Sequence, residues 1–91
     1  MNTYELTVIT RPEDDQYKAG LEIIKTEIEK EKGKIEKQDD WGVKDLAYEI
    51  KKQQKGHYTF YKLSLAAESI AKLDERLRIK TELLKYLFVK A

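Results

Sequence analysis

Few residues in this chain could carry covalent or acid–base chemistry. There is one histidine, His57, and no cysteine, which removes a thiolate nucleophile, a disulfide and any cysteine-ligated metal. A histidine-based metal site or nucleophile pair needs a second histidine or a cysteine beside the first, and the chain has neither. The acidic pairs Asp14-Asp15 and Asp39-Asp40 are sequence neighbours. In a strand such neighbours point to opposite faces and cannot share a proton site. The glycines Gly20, Gly33, Gly42 and Gly56 are scattered and build no phosphate-cradling loop. His57 therefore reads as an exposed histidine at the base of a hairpin. No enzyme activity, cofactor or metal is expected.

Charge and aromatic surface remain as the source of function. The 91 residues carry 18 Lys and Arg against 17 Asp and Glu, a net charge of +1. The balance is uneven along the chain. Between Glu13 and Asp40 there are ten acidic and six basic residues, net −4, whereas Trp41 to Ala91 holds six acidic and eleven basic, net +5. Either a solvated acidic helix lies beside an ordinary surface, or an acidic side faces water while a basic side faces a polyanion. Phosphate affinity scales with the number of neutralising cations, so a nearly neutral chain is expected to need a second protein to hold nucleic acid. No apolar run approaches the roughly 20 residues of a membrane span. The N-terminal MNTYELTVIT lacks the charged start and apolar block of a signal peptide. A soluble cytosolic protein of one domain, residues 1–91, is expected, burying about 60–65% of its unfolded surface.

The elements that must position these side chains follow from periodicity. Thr3 to Thr10 alternates, with Tyr4, Leu6 and Val8 on one face, and Arg11-Pro12 stops the strand. Glu13, Asp14 and Asp15 start a helix whose inner stripe is Tyr17, Leu21, Ile24 and Ile28 and whose outer faces pair Glu27 with Lys30. Gly33 closes it. Lys34 to Asp40 begins a long, charged edge strand. It continues through Trp41-Gly42, where glycine marks a bulge, into Leu46, Tyr48 and Ile50 on a buried face. Gly56, after Lys52, Gln53, Gln54 and Lys55, is placed in the hairpin loop, and the return arm is His57 to Leu65. Its inner face is Thr59, Tyr61, Leu63 and Leu65; its open face is Tyr58, Phe60, Lys62 and Ser64. Ala66 to Ile79 is a second amphipathic helix, with Ile70, Leu73 and Leu77 inward and Arg76 and Arg78 outward. Lys80-Thr81-Glu82 connects it to a last strand, Leu83 to Lys90.

The order β-α-β-β-α-β predicts a ferredoxin-like split β-α-β sandwich of the α+β class: a four-stranded antiparallel sheet with two helices on one face. Right-handed crossovers put the first and third strands in the middle and leave the second as an edge open to another chain. The hairpin is longer than such a core requires, so part of it should project as a basic arm. Small acyl-phosphate hydrolases share this fold and use an arginine with an asparagine. Arg11 could stand for the first, but the sole asparagine, Asn2, is misplaced for the second.

Taken together, Tyr4-Glu5, Trp41-Gly42 with Lys44, Leu46-Ala47-Tyr48 with Ile50 and Lys51, Gly56 with Tyr58, Leu77-Arg78-Ile79 and Leu84-Lys85-Tyr86 resemble bacterial small-subunit ribosomal protein six. The likeness runs over essentially the whole chain, and the Trp-Gly…Leu-Ala-Tyr block is its specific part. Glu49 stands where the family often has proline, and Leu84-Lys85 where some members carry two arginines. The resemblance implies a structural component of the small ribosomal subunit that binds the central domain of small-subunit ribosomal RNA cooperatively with ribosomal protein eighteen of that subunit. On matching positions it implies phosphate contacts at Lys44, Arg78, Lys80 and Lys85, with Lys51, Lys52 and Lys55 secondary, and partner docking at Trp41, Tyr58 and Phe60. A monomer is expected in isolation, with no membrane or small-molecule substrate. The competing reading is a ferredoxin-like interaction or small-ligand sensor module that oligomerises through its sheet edge.

Overall fold

In the computed structural model, which describes residues 2–91, alternation and helical periodicity resolve into six elements. They are β1 (Asn2–Thr10), α1 (Asp14–Lys30), β2 (Lys34–Ile50), β3 (Gln53–Leu65), α2 (Ala67–Leu77) and β4 (Leu83–Lys90). The strands form one antiparallel sheet in the order β2-β3-β1-β4, with the first and third strands central as expected. Tyr4, Leu6 and Val8 of β1 join Tyr61, Leu63 and Leu65 of β3 beneath Ile24 and Ile28 of α1 and Leu73 and Leu77 of α2. One sheet face is thus filled by the helices. The other face carries Glu5, Thr7, Ile9, Tyr58, Phe60, Lys62, Lys85, Leu87 and Val89 across the paired rows.

The end of α1 departs from expectation. Gly33 does not take the left-handed conformation; Lys32 does, at φ 59°. The Lys32 amide donates to the Glu29 carbonyl at 3.0 Å and the Gly33 amide to the Ile28 carbonyl at 2.9 Å, the paired bonds of a Schellman ending. Gly33 is there for room: a Cβ would lie 2.9 Å from Ile28 Cγ2 and 3.0 Å from Leu65 Cδ2. A left-handed lysine is disfavoured by its Cβ, whereas glycine is not. Lys32→Gly is therefore expected to stabilise the fold by about 1 kcal/mol, raising Tm by about 4–8 °C in a thermal melt.

Two polar assignments are also corrected. Glu27 and Arg76, both expected to face water, meet each other. Arg76 donates to Glu27 at 2.5 Å and to Glu31 at 2.8 Å, joining the two helices, and Glu27 is buried. Helix periodicity alone could not register that the two helices lean together at this point. In the centre of β3 the buried Tyr61 hydroxyl has no hydrogen-bond partner among the described residues, and burial pushes its pKa up. An unsatisfied buried hydroxyl is a liability. Tyr61→Phe is expected to be neutral or to stabilise by about 1 kcal/mol in urea denaturation, and a loss above about 1 kcal/mol would count against this reading.

The hairpin turn lies elsewhere than glycine suggested. Lys51 and Lys52 form it, with φ 48° and 64°, and Ile50 pairs with Gln53 across it. Gly56 is inside β3, opposite Lys44, where a Cβ would collide with Ile9 Cγ2 and lie 3.3 Å from Leu46 Cδ2. Close approach of the arm to β1 is what requires glycine there. Beyond that point the arm outruns the helices, so Tyr48 is exposed rather than buried and Leu46 and Ile50 are half-buried. Gly42 does mark a bulge, at φ 81°, where the register shifts between Asp40 and Gly42.

Candidate nucleic-acid and partner interface

The helix-free face begins at the bulge. By breaking the register, Gly42 turns Trp41 over the sheet, where its ring stacks on Phe60 at 5.2 Å between centroids and 8° between planes. Lys44 projects from the same strand, with its ammonium 5.6 Å from the Trp41 ring and 5.7 Å from the Tyr58 ring. A lysine over two aromatic faces is attracted by their quadrupoles yet stays hydrated and available. Trp41, Tyr58, Phe60 and Lys44, singled out from the sequence, are thus one cluster. Trp41 is 46% exposed, and Leu87 and Val89 are exposed on the same face along β4.

The arm adds further cations. Its tip bends back toward β4: Lys51 Nζ donates to the Leu83 carbonyl at 3.0 Å, and Lys85 Nζ donates to the Tyr48 hydroxyl at 3.2 Å, lying 5.8 Å from its ring. Lys55 pairs loosely with Asp45 at 3.8 Å, and Lys52 is exposed at the turn. Lys44, Lys51, Lys52, Lys55 and Lys85 therefore belong to one region, the arm and the face beneath it. Arg78 and Lys80 stand apart. Arg78 caps α2 and donates to Asp74 at 2.5 Å. Asp74 also accepts from Tyr86 at 2.7 Å. Its carboxyl is held low by the Tyr86 hydroxyl first and Arg78 second, and Asp74 in turn holds the Arg78 pKa up. Lys80 lines a groove along α1 with Glu22, Glu27, Lys30 and Glu82.

His57 is not the exposed hairpin-base residue expected. It lies within β3, opposite Thr10 and Val43, with only 13% of its side chain exposed. Its ring stacks on Tyr17 of α1 at 3.6 Å and 4°, and its Nε2 shares a hydrogen bond with Asp40 Oδ1 across 2.6 Å. The same Asp40 oxygen accepts from the Gly42 amide at 2.8 Å. This clamp ties α1, the bulge and β3 together directly beside Trp41. The bond from His57, then that from Gly42, holds the Asp40 carboxyl below its usual range, while burial first and Asp40 second push Tyr17 up. Nothing in local sequence could bring Tyr17, Asp40 and His57 together; only the register does. Tyr48, the partner of Lys85, was missed for a different reason, being assigned to the core by its alternation.

Asp40, Asp74 and Glu31 all have depressed pKa values, Glu31 through Arg76. A depressed carboxylate contributes stability above its unfolded pKa of about 4, and that contribution is lost as pH falls through the lower folded value. The protein should hold its stability from neutrality down to about pH 4.5 and lose it steeply below, with Asp40→Asn flattening the decline in urea midpoints measured between pH 6 and 3.

Arg11, the one residue that could have mimicked a hydrolase arginine, is held by the Thr81 carbonyl at 2.9 Å. Fold and site together define a ferredoxin-like sandwich whose open face is an aromatic and cationic surface. Comparison with known proteins bears on the fold and the family. The family model for ribosomal protein S6 matches residues 3–90. Small ribosomal subunit protein bS6 of Treponema denticola is 34% identical over 90 residues, covering 99% of this chain and 97% of the relative. That of Geobacter sulfurreducens is 38% identical over 89 residues, covering 96% and 76%. The crystal structure of 30S ribosomal protein S6 from Thermotoga maritima superposes with a TM-score of 0.88 at 28% identity, covering 99% of this chain and 87% of that one. The C-terminal domain of MgtC from Mycobacterium tuberculosis, with a TM-score of 0.68 and 12% identity, shares the fold alone. The chain belongs to the ribosomal protein S6 family. It is a structural, non-enzymatic protein of the bacterial small ribosomal subunit, in the cytoplasm.

Proposed function

We propose that this chain, as one domain over residues 1–91, binds the central domain of small-subunit ribosomal RNA jointly with ribosomal protein eighteen of the same subunit, and is a monomer when isolated. The observation that carries this reading is the placement of Lys44 over Trp41 and Tyr58, beside Phe60, on a sheet face that no helix covers and that continues into the arm cations. Phosphates are met by Lys44, Lys52, Lys55 and Lys85; Lys51, a secondary candidate from the sequence, lies at the arm's tip bonded to the Leu83 carbonyl. Arg78 and Lys80 meet a separate stretch of RNA on the helix side. Trp41, Tyr58 and Phe60 give the flat, rigid aromatic surface on which the protein partner docks. The net charge of only +1 supports the need for a partner, since acidic side chains elsewhere on the chain offset its long-range attraction to RNA.

Lysine acylation, compared between free protein and the assembled complex, tests the assignment. Lys44, Lys52, Lys55 and Lys85 should become protected, while Lys18 and Lys25, exposed on the outer side of α1, should react as before. Protection of the α1 lysines with continued reactivity of the arm would overturn it. Native mass spectrometry addresses the oligomeric state: a monomer is expected, and a defined homo-oligomer would favour a sheet-edge interaction module.

A further inference from the structure

We propose that Lys51 is a positioning residue rather than a phosphate contact: its ammonium latches the tip of the β2–β3 arm onto β4 and so fixes the spacing of Lys52, Lys55 and Lys85. The latch itself is a property of the free protein; its effect on binding rests on the RNA-binding function proposed above.

The two residues of the turn both occupy the left-handed region, at φ 48° and 64°. That region suits Asn-Gly and disfavours lysine. The turn's own backbone preference therefore does not hold the tip in place, and contacts elsewhere along the arm must. Three are present. Lys51 Nζ donates to the Leu83 carbonyl, 32 residues away, at 3.0 Å in a partly buried setting. Tyr48 accepts from Lys85 at 3.2 Å. At the arm's root, Gly56 lies so close against Ile9 that no Cβ would fit, with Leu46 packed at the same spot. Leu83 sits beside the register shift at Ile9 and Thr10, the point where the arm leaves the sheet. A bond from tip to that point closes the arm into a fixed bend.

Lys51 and Lys52 are thus neighbours with different tasks. Both residues are exposed at the turn, but Lys51 commits its ammonium to the Leu83 carbonyl. An arm already bent needs no ordering when RNA arrives, and ordering a loose arm would subtract from affinity.

Lys51→Met keeps the apolar stem and removes the donor and charge; Lys52→Met is its control. Hydrogen exchange is measured on the free full-length variants, and RNA affinity is measured with ribosomal protein eighteen across a salt series. Lys51→Met is expected to speed amide exchange over residues 44–56 and to weaken binding about tenfold, the equivalent of one hydrogen bond from a charged donor, with the salt slope unchanged. Lys52→Met is expected to leave exchange alone and to reduce the slope by about 0.7–0.9, as loss of one phosphate contact does. Unaltered exchange in Lys51→Met, or a slope reduced as in Lys52→Met, would overturn the proposal. Should the unmodified chain fail to bind RNA even with its partner, the proposed function falls, and the exchange result still decides the latch.

Discussion

Replacing Lys44, Lys52 and Lys85 together by alanine is expected to weaken the joint complex with RNA on the order of a hundredfold near 0.15 M salt and to flatten its salt dependence by about 2–3 units. Each cation that neutralises a phosphate releases counterions, and three such contacts multiply. The fold should be unaffected, because all three side chains lie on the exposed arm and open face. Their attractions to Trp41, Tyr58 and Tyr48 are solvent-exposed and of small effect. Changing Arg78 and Lys80 to alanine should reduce affinity less, since Asp74 already engages Arg78 and Lys80 shares its groove with Glu22, Glu27 and Glu82. Titrations at several salt concentrations measure both numbers. A loss below threefold with an unchanged slope in the triple variant would remove these lysines from the interface.

Leu63→Ala is expected to cost about 2–5 kcal/mol. Leu63 is fully buried in central strand β3, paired with Tyr4 on one side and Ile35 on the other, and the helices cover it. Alanine would leave a cavity that neighbours on three elements cannot jointly close. For a chain of this size the whole stability is about 5–13 kcal/mol, so the variant should melt at least about 8 °C lower, at about 4–8 °C per kcal/mol. The contrast is Leu87→Ala on the other face. Leu87 is 58% exposed, so its loss should change stability by no more than about 0.5 kcal/mol. If both variants melted alike, the division of the sheet into a filled face and an open face would be wrong.

Much of this architecture was legible in the sequence because it is written in local periods. The alternation of Tyr4, Leu6 and Val8, the stripe of Ile24 and Ile28, the bounds of β4 and the bulge at Gly42 each need only a few neighbouring residues to read. The misreadings arose where long-range contact overrides a local signal. Gly56 looked like a turn residue and is a close-approach residue, while the turn itself uses two lysines that no turn preference would select. Tyr48 kept the alternation of a buried strand after the arm had passed beyond the helices that bury one. Gly33 offered a left-handed cap, yet the helix ended one residue earlier and needed Gly33 for space.

The site divides in the same way. Trp41, Lys44, Tyr58 and Phe60 could be grouped because a hairpin places its two strands side by side, so strand pairing alone brings them together. Lys85 joins them only because the arm bends back onto β4 through Tyr48 and Lys51. The same register separates Arg78 and Lys80 from the rest, although all three lie within eight residues of sequence.

The most direct measurement is the affinity of this protein for central-domain ribosomal RNA, determined alone and with ribosomal protein eighteen over a range of salt concentrations. Weak binding alone, far tighter binding with the partner and a steep decline with salt are predicted. Equal affinity with and without the partner, or affinity indifferent to salt, would contradict the assignment of the open face and its arm to a shared protein–RNA interface.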